Sequence, residues 1–176
     1  KVSLYLRLQN LILLVCFSVT LLSCGAVPGK NAAHQNRGNA MHSRLSDTSV
    51  GLEEIAVQAI ALVGLPYRYG GDSLEGGFDC SGLIVYVVER AMGLRLPRTV
   101  REMSQRGQAL GREGLAPGDL VFFSMADRSY SHAGIYVGHD RFVHAPATGG
   151  TVRLERLSQS YWANRFVEAR RLSLTR

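Results

Sequence analysis

Apolar positions recur along this chain with two periods, and the change from one to the other divides it. In "LEEIAVQAIALVG", Leu52, Ile55, Ala59 and Leu62 fall on one helical face, and Glu53 and Glu54 sit in the first turn, where the helix dipole favours them. Gly64 and Pro66 stop that helix. A second helix is predicted from Asp79 or Cys80 to Met92, with Gly93 as its C-terminal stop. Leu83, Ile84, Val87, Val88 and Ala91 make it apolar over more than half its circumference, the pattern of a buried central helix. Thr99 and Glu102 form a capping box, which announces a third helix closing at Gly107. Beyond it the period becomes two. "GDLVFFS", "HAGIYVG", "RFVHA", "TVRLERL" and "RFVEARRL" read as strands joined by short loops, hence antiparallel. Helices followed by an antiparallel sheet of four to six strands make an α+β domain. No internal repeat is present.

The first segment has neither period. Lys1 and Arg7 precede "LILLVCFSVTLL", which has the length of a signal h-region and is short for a bilayer span. It runs into "LLSC", Leu21 to Cys24, which resembles a bacterial lipobox. Residues 1–23 are therefore expected to be a lipoprotein signal peptide, with Cys24 acylated and anchored in a membrane. Gly25 after the cysteine favours the outer membrane, facing the periplasm, in a Gram-negative cell. Residues 24–48, rich in Gly, Asn, Ala and Ser, read as a disordered tether, with His34 and His42 solvated. The folded domain is expected over residues 49–176.

Charge and composition narrow the function classes. Net charge is +6, of which Lys1 and Arg7 supply two, a mild bias towards anionic surroundings such as a lipid face or cell-wall polymer. The arginines are scattered, with no basic run interleaved with aromatics, so no nucleic-acid partner is expected. "YRYGGDSLEGG" lacks the lysine and frame of a phosphate-binding loop, and nothing calls for a cofactor. Cys16 leaves with the signal and Cys24 is blocked by acyl chains. Cys80 is then the remaining thiol of an exported protein, a compartment in which unpaired thiols are unusual.

At a helix N-terminus, free N–H groups and the dipole are expected to lower the Cys80 pKa and to offer an oxyanion hole. Gly76 and Gly77 permit close approach of a substrate backbone. A buried cysteine that acts only as a small hydrophobe is an equal reading at this point. A nucleophile needs a base and an orienter, and His132 and His144 lie on neighbouring strands. The three residues have no CxxC or HExxH spacing, so no metal site is expected.

"PYRYGG", "GGFDCSGL", "LAPGDLVFF", "SHAGIYVG" and "FVHAP" occur in this order. Together they resemble the NlpC-type cell-wall peptidases, a branch of the papain-like cysteine peptidases, from about residue 52 to 170. The resemblance implies Cys80 as nucleophile, His132 as base and His144 as the third polar residue. It implies a Tyr67 hydroxyl near the oxyanion, and Asp79 and Ser81 holding the substrate. The implied substrate is the peptide stem of peptidoglycan, cut at the amide between γ-D-glutamate and diaminopimelate. An N-acetylmuramoyl-L-alanine amidase, or a non-catalytic wall-binding lipoprotein, are the alternatives on the same fold. The segment between Tyr67 and Cys80 is about one residue longer than the pattern. No SH3-like module is expected before the domain, which leaves substrate selection to the domain and its anchor.

The hairpin joining the histidines sets a geometric condition. If Val137 pairs with Arg141 across a three-residue loop, His132 and His144 share a face as diagonal neighbours. If Gly138 pairs with Arg141 across a two-residue loop, the register slips by one and they face opposite sides of the sheet, which would count directly against the catalytic reading. The catalytic reading therefore expects the longer loop, with His144 accepting from Nδ1–H of His132 and Nε2 of His132 turned to Cys80.

Overall fold

The computed structural model describes residues 31–126, 128–147 and 149–173. The expected signal peptide, Cys24 and the start of the tether lie outside the described residues. The chain divides into two units, Lys1–Gly38 and Asn39–Arg176, and the candidate site belongs to the second.

Helix α1 runs Asn31–Ala61. The tether reading over residues 24–48 is thus corrected from Asn31 onwards, where the backbone is helical. The stretch has no proline and is well supplied with Ala, Gln, Arg and Met, which favour helix without needing a buried face. Ser46, Asp47, Ser49 and Val50 are exposed, and packing starts with Gly51 and Leu52. Leu52, Ile55, Ala59 and Leu62 are buried, as their spacing requires.

The glycine-rich loop folds into a small antiparallel pair, β1 (Asp72–Ser73) and β2 (Gly77–Phe78). Helix α2 follows over Cys80–Met92, and Gly93 ends it in the left-handed conformation at φ 64°, its N–H bonded to the Glu89 carbonyl. Leu83, Ile84, Val87 and Val88 are fully buried, so α2 is the central helix. Thr99 caps the next helix by accepting from Glu102 N–H at 3.3 Å and donates its hydroxyl to the Glu102 carboxylate at 2.7 Å, but that helix, α3, covers only Val100–Met103. Turns follow to Gly107, where the chain enters a short strand, β3 (Gln108–Leu110), that the sequence pattern did not reveal.

After a 3₁₀ turn at Arg112–Gly114 come β4 (Leu120–Met125), β5 (Arg128–Gly138), β6 (Arg141–His144) and β7 (Arg153–Arg156). One helical turn, α4 (Ser160–Ala163), precedes β8 (Phe166–Arg171). The six-stranded sheet has the order β3-β8-β4-β5-β6-β7, every neighbour antiparallel. Leu120, Phe122, Ala133, Ile135 and Val143 pack with the buried residues of α1 and α2. Val121, Phe123, Phe142, Leu157, Trp162 and Ala169 form a second cluster, to which α4 contributes Trp162. Asp119, fully buried, pairs with Arg171 at 2.7 Å and so fixes β8 to the turn before β4.

The β5–β6 hairpin departs from both alternatives that spacing allowed. Gly138 pairs with Arg141, so the loop has two residues, His139 and Asp140, both with positive φ (51° and 61°) as hairpin turns of this length require. Yet Tyr136 pairs with Phe142 and Ile135 with Val143. Val137 is one extra residue on β5, a β-bulge, and it shifts the register back by one. The Tyr136 hydroxyl accepts from the Asp140 N–H at 3.1 Å and ties the bulge to the turn. The expectation of a three-residue loop is therefore wrong, and the shared face it was meant to secure comes from the bulge.

Candidate active site

Asp79 organises the N-terminus of α2. Its side chain caps the helix by accepting from Gly82 N–H at 2.7 Å. It also accepts from the Ser81 hydroxyl, from Gly70 N–H at 2.9 Å, and from both terminal nitrogens of Arg98 at 2.8 and 2.9 Å. Burial pushes its carboxyl up, but Arg98, the Gly82 N–H and the Ser81 hydroxyl outweigh this and hold it below the usual carboxylate range. Arg98 further donates to Ser81 and to the Gly71 carbonyl. A side chain at Gly82 would meet that carbonyl oxygen at 2.0 Å, so only glycine lets the loop lie against the first turn. Asp79 and Ser81 thus spend their polar atoms on the fold here. Arg98, which holds both, had no signal in local spacing.

Cys80, the first residue of α2, is an unpaired thiol, and the backbone N–H groups of Ser81, Ala133 and Cys80 favour its charged form. Ala133 is the neighbour of His132 on β5. Burial pushes the thiol pKa up, the Asp79 charge adds to this, and the three N–H groups oppose it without prevailing. The expected lowering by the helix N-terminus is therefore corrected: the dipole is present, but a buried sulfur next to a carboxylate is harder to ionise. Tyr67 is half-buried and feels the charges of Cys80 and Asp79, with burial as the larger cause of its raised pKa, so its hydroxyl keeps its proton. Tyr69 is 87% exposed, which separates the two tyrosines of the motif.

His132 and His144 share a face and meet, Nε2 of the first to Nδ1 of the second, at 2.8 Å with rings nearly perpendicular. The atom assignment is the reverse of the one expected: Nε2 of His132 faces His144, which leaves Nδ1 as its free nitrogen. Gly134, beside His144, gives them room, since a Cβ there would lie 3.2 Å from the His144 Cβ and 2.8 Å from the Val143 carbonyl oxygen. Trp162 covers both rings, stacked on His132 with centroids 5.6 Å apart and edge-on to His144 at 4.8 Å. Burial is the main cause that lowers the pKa of His132 to about 4, with the Arg153 charge adding to it. His144 is held lower still by burial, by His132 and by Arg153. Both imidazoles are therefore neutral at neutral pH. Trp162, Glu155 and Arg153 were missed by the sequence reading, because none lies within a motif or period that marks it. Among the described residues, no group of three His, Cys, Asp or Glu is placed to hold a metal ion.

This arrangement sits on residues that match a known family. The NlpC/P60 family model covers residues 64–171. The chain belongs to the NlpC/P60 family. It is 38% identical over 147 residues to the murein DD-endopeptidase MepH of Escherichia coli K12, covering 81% of this chain and 53% of that protein. It is 32% identical to the gamma-DL-glutamyl hydrolase of Bacillus subtilis 168, covering 85% of this chain and 42% of the relative. A crystal structure of a lipoprotein-like NLP/P60 family protein from Staphylococcus aureus Mu50 superposes with a TM-score of 0.59 at 32% identity, over 69% of this chain and 41% of that one. The chain spans about half the length of these relatives. The NlpC/P60 fold is thereby the fold of this domain, an α+β arrangement of helices and an antiparallel six-stranded sheet.

Two expectations follow from the electrostatics. A buried, neutral thiol should be alkylated by iodoacetamide at a rate that climbs through the alkaline range. A rate already at its plateau between pH 5 and 7 would show a resting thiolate–imidazolium pair instead. The second concerns stability. An unfolded histidine takes its proton near pH 6.5, whereas folded His132 refuses it until about 4. Its stabilising contribution is complete above about 6.5 and is lost as pH falls towards 4, roughly 3 kcal/mol from this residue. Urea unfolding midpoints should fall over that window, and by about half as much in His132→Gln, where His144 alone refuses the proton; a flat wild-type profile would contradict burial of neutral imidazoles.

Proposed function

We propose that this chain is a cysteine peptidase that hydrolyses the stem peptides of peptidoglycan. The observation that carries the reading is the contact of two buried, neutral imidazoles, His132 and His144, with Ala133, the neighbour of His132, among the backbone N–H groups that act on the Cys80 thiol. Relatives named for murein and γ-DL-glutamyl bonds support the substrate class.

In this mechanism the thiol proton of Cys80 passes to Nδ1 of His132 as sulfur attacks the scissile carbonyl carbon. The oxyanion is met by N–H groups at the start of α2 and by the Tyr67 hydroxyl, which is still protonated at working pH. The His132 imidazolium then gives its proton to the departing amine as the C–N bond breaks, leaving a thioester. Water, deprotonated by His132, attacks that thioester, and the thiol takes the proton back. Neutral His144 accepts the Nε2–H of His132 throughout and steadies the imidazolium. Because His144 resists protonation more than His132 does, the acid limb of activity belongs to His132.

For the bond, we take the γ-D-glutamyl–diaminopimelate amide as the primary reading. The D,D cross-link is the second, favoured by the identity to MepH. Incubating the full chain with purified muropeptides and weighing the products distinguishes these, since each amide gives a different fragment mass. Release of intact stem peptide from the sugar would indicate an amidase. Cys80→Ser should abolish the fragments while leaving the circular dichroism spectrum unchanged, and full activity in that variant would end the nucleophile assignment.

Anchoring belongs to the same proposal. The Leu21–Cys24 sequence supports acylation of Cys24 and an exported protein held at a membrane, the outer one facing the periplasm in a Gram-negative cell. One acyl chain holds weakly and several hold firmly, at about 0.8 kcal/mol per buried CH₂. Cys24→Ala should leave an unprocessed precursor or move the protein to the soluble fraction. Unchanged processing and fractionation would contradict lipidation.

A further inference from the structure

The His132–His144 hydrogen bond works in either of two proton arrangements, and only one of them is catalytically useful. If His132 carries its proton on Nε2, it donates to Nδ1 of His144, and Nδ1 of His132 is free as a base. His144 must then carry its own proton on Nε2. In the opposite arrangement His144 donates from Nδ1, His132 is protonated on Nδ1, and the base is blocked. The contact at 2.8 Å is the same in both. Something beyond the pair has to choose.

The choice is made at Nε2 of His144. This atom is buried and has no hydrogen-bond partner among the described residues. Oε1 of Glu155 lies 3.7 Å away on β7, where Glu155 sits opposite Phe142 of β6 and so on the histidine face, and Arg153, paired directly with His144, brings the opposing charge to the same face. The carboxylate is fixed from two sides. Arg153 Nε lies 2.5 Å from Oε1, and the indole N–H of Trp162 donates to Oε2. A carboxylate paired with a guanidinium is acceptor-only. A proton on Nε2 of His144 faces it favourably, whereas a lone pair there would face a negative charge in a buried setting.

We propose that Glu155 is a positioning residue that selects the productive tautomer of the His144–His132 pair, with Trp162 and Arg153 holding its carboxylate in place. The relay then has four members: Glu155 orients the proton of His144, His144 that of His132, and His132 accepts the proton of Cys80. Trp162 touches three of the four, since the same indole covers both imidazoles and donates to the carboxylate. The assignment rests on the reading of Cys80 and His132 as nucleophile and base.

Imidazole ¹⁵N–¹H correlation spectra of the ¹⁵N-labelled full chain at pH 7.5 test it directly. Both His132 and His144 should show the proton on Nε2. Glu155→Met removes the acceptor and should mix the tautomers, with kcat reduced about 10–100-fold and KM changed less than about twofold, the usual effect of losing a partner once removed from the reacting atoms. Glu155→Gln, which still accepts through its amide oxygen, should keep more of both the tautomer and the rate. If the Met variant does not fold, the wild-type spectrum and the Gln variant decide. A wild-type His132 protonated on Nδ1 would overturn the proposal, as would unchanged tautomers with unchanged kcat in both variants. The spectra need no turnover. Inactivity of the wild-type chain on stem peptides would therefore refute the hydrolase reading, while the tautomers would still decide the role of Glu155.

Discussion

Everything at this site depends on keeping two imidazoles in contact, buried and uncharged. A single protonated histidine under Trp162 would be a desolvated cation beside Arg153, and a doubly protonated pair would repel itself as well. Three features of the sheet serve this requirement. The Val137 bulge puts the rings on one face, Gly134 leaves space between them, and the single turn of α4 lays an indole over both. None of the three is needed to build a six-stranded sheet. They are what the sheet must do additionally to carry this pair.

The nucleophile is positioned by a separate device of opposite character. Where the histidines sit in an apolar aromatic cluster, the start of α2 is held by a dense polar knot of Asp79, Ser81, Arg98 and the Gly70–Gly71 backbone. That knot fixes the first turn of the helix, and with it the direction of Cys80, while keeping Asp79 ionised. The fixed charge has a consequence for the sulfur, whose ionisation it opposes. Geometry is thus secured at the expense of thiolate, and the deficit falls on His132 as a base. This is consistent with the low proton affinity that burial gives the histidines: a resting ion pair is disfavoured from both ends, so proton transfer has to accompany attack.

The two devices meet at one strand. Ala133 of β5 has an N–H that favours the charged form of Cys80 and a side chain in the core beneath α2, whereas His132 beside it turns to the aromatic cluster. Alternation along a strand therefore lets one dipeptide serve both faces. The polypeptide between them needs no irregularity at that point. The irregularity is placed further along, at Val137, where it costs no contact in the site.

Local order alone determined a good deal. The helical period of Leu52 to Leu62, the apolar face of α2, its start at Cys80 and stop at Gly93, and the alternation of five strands are all properties of neighbours within one or two turns or a few pleats. They were legible because burial of one face imposes a period on the chain. The same applies to the ordered motifs around Tyr67, Cys80, His132 and His144, which carry the family resemblance. Short elements were not legible: β1, β2 and β3 have two or three residues, too few for a period. The helix before Ser49 escaped for a related reason, since its sequence carries no apolar period. What only the tertiary structure decided is everything set by distance in space. Arg98 reaches Asp79 across 19 positions, and Trp162 and Glu155 come to the histidines from α4 and β7. The bulge is the sharpest case. Spacing allowed a two- or three-residue loop and tied each to one register, but an extra residue absorbed in β5 gave the short turn and the long loop's register together. Burial likewise reversed the expected shift of Cys80, because desolvation and a neighbouring carboxylate are sums over surroundings that no stretch of sequence contains.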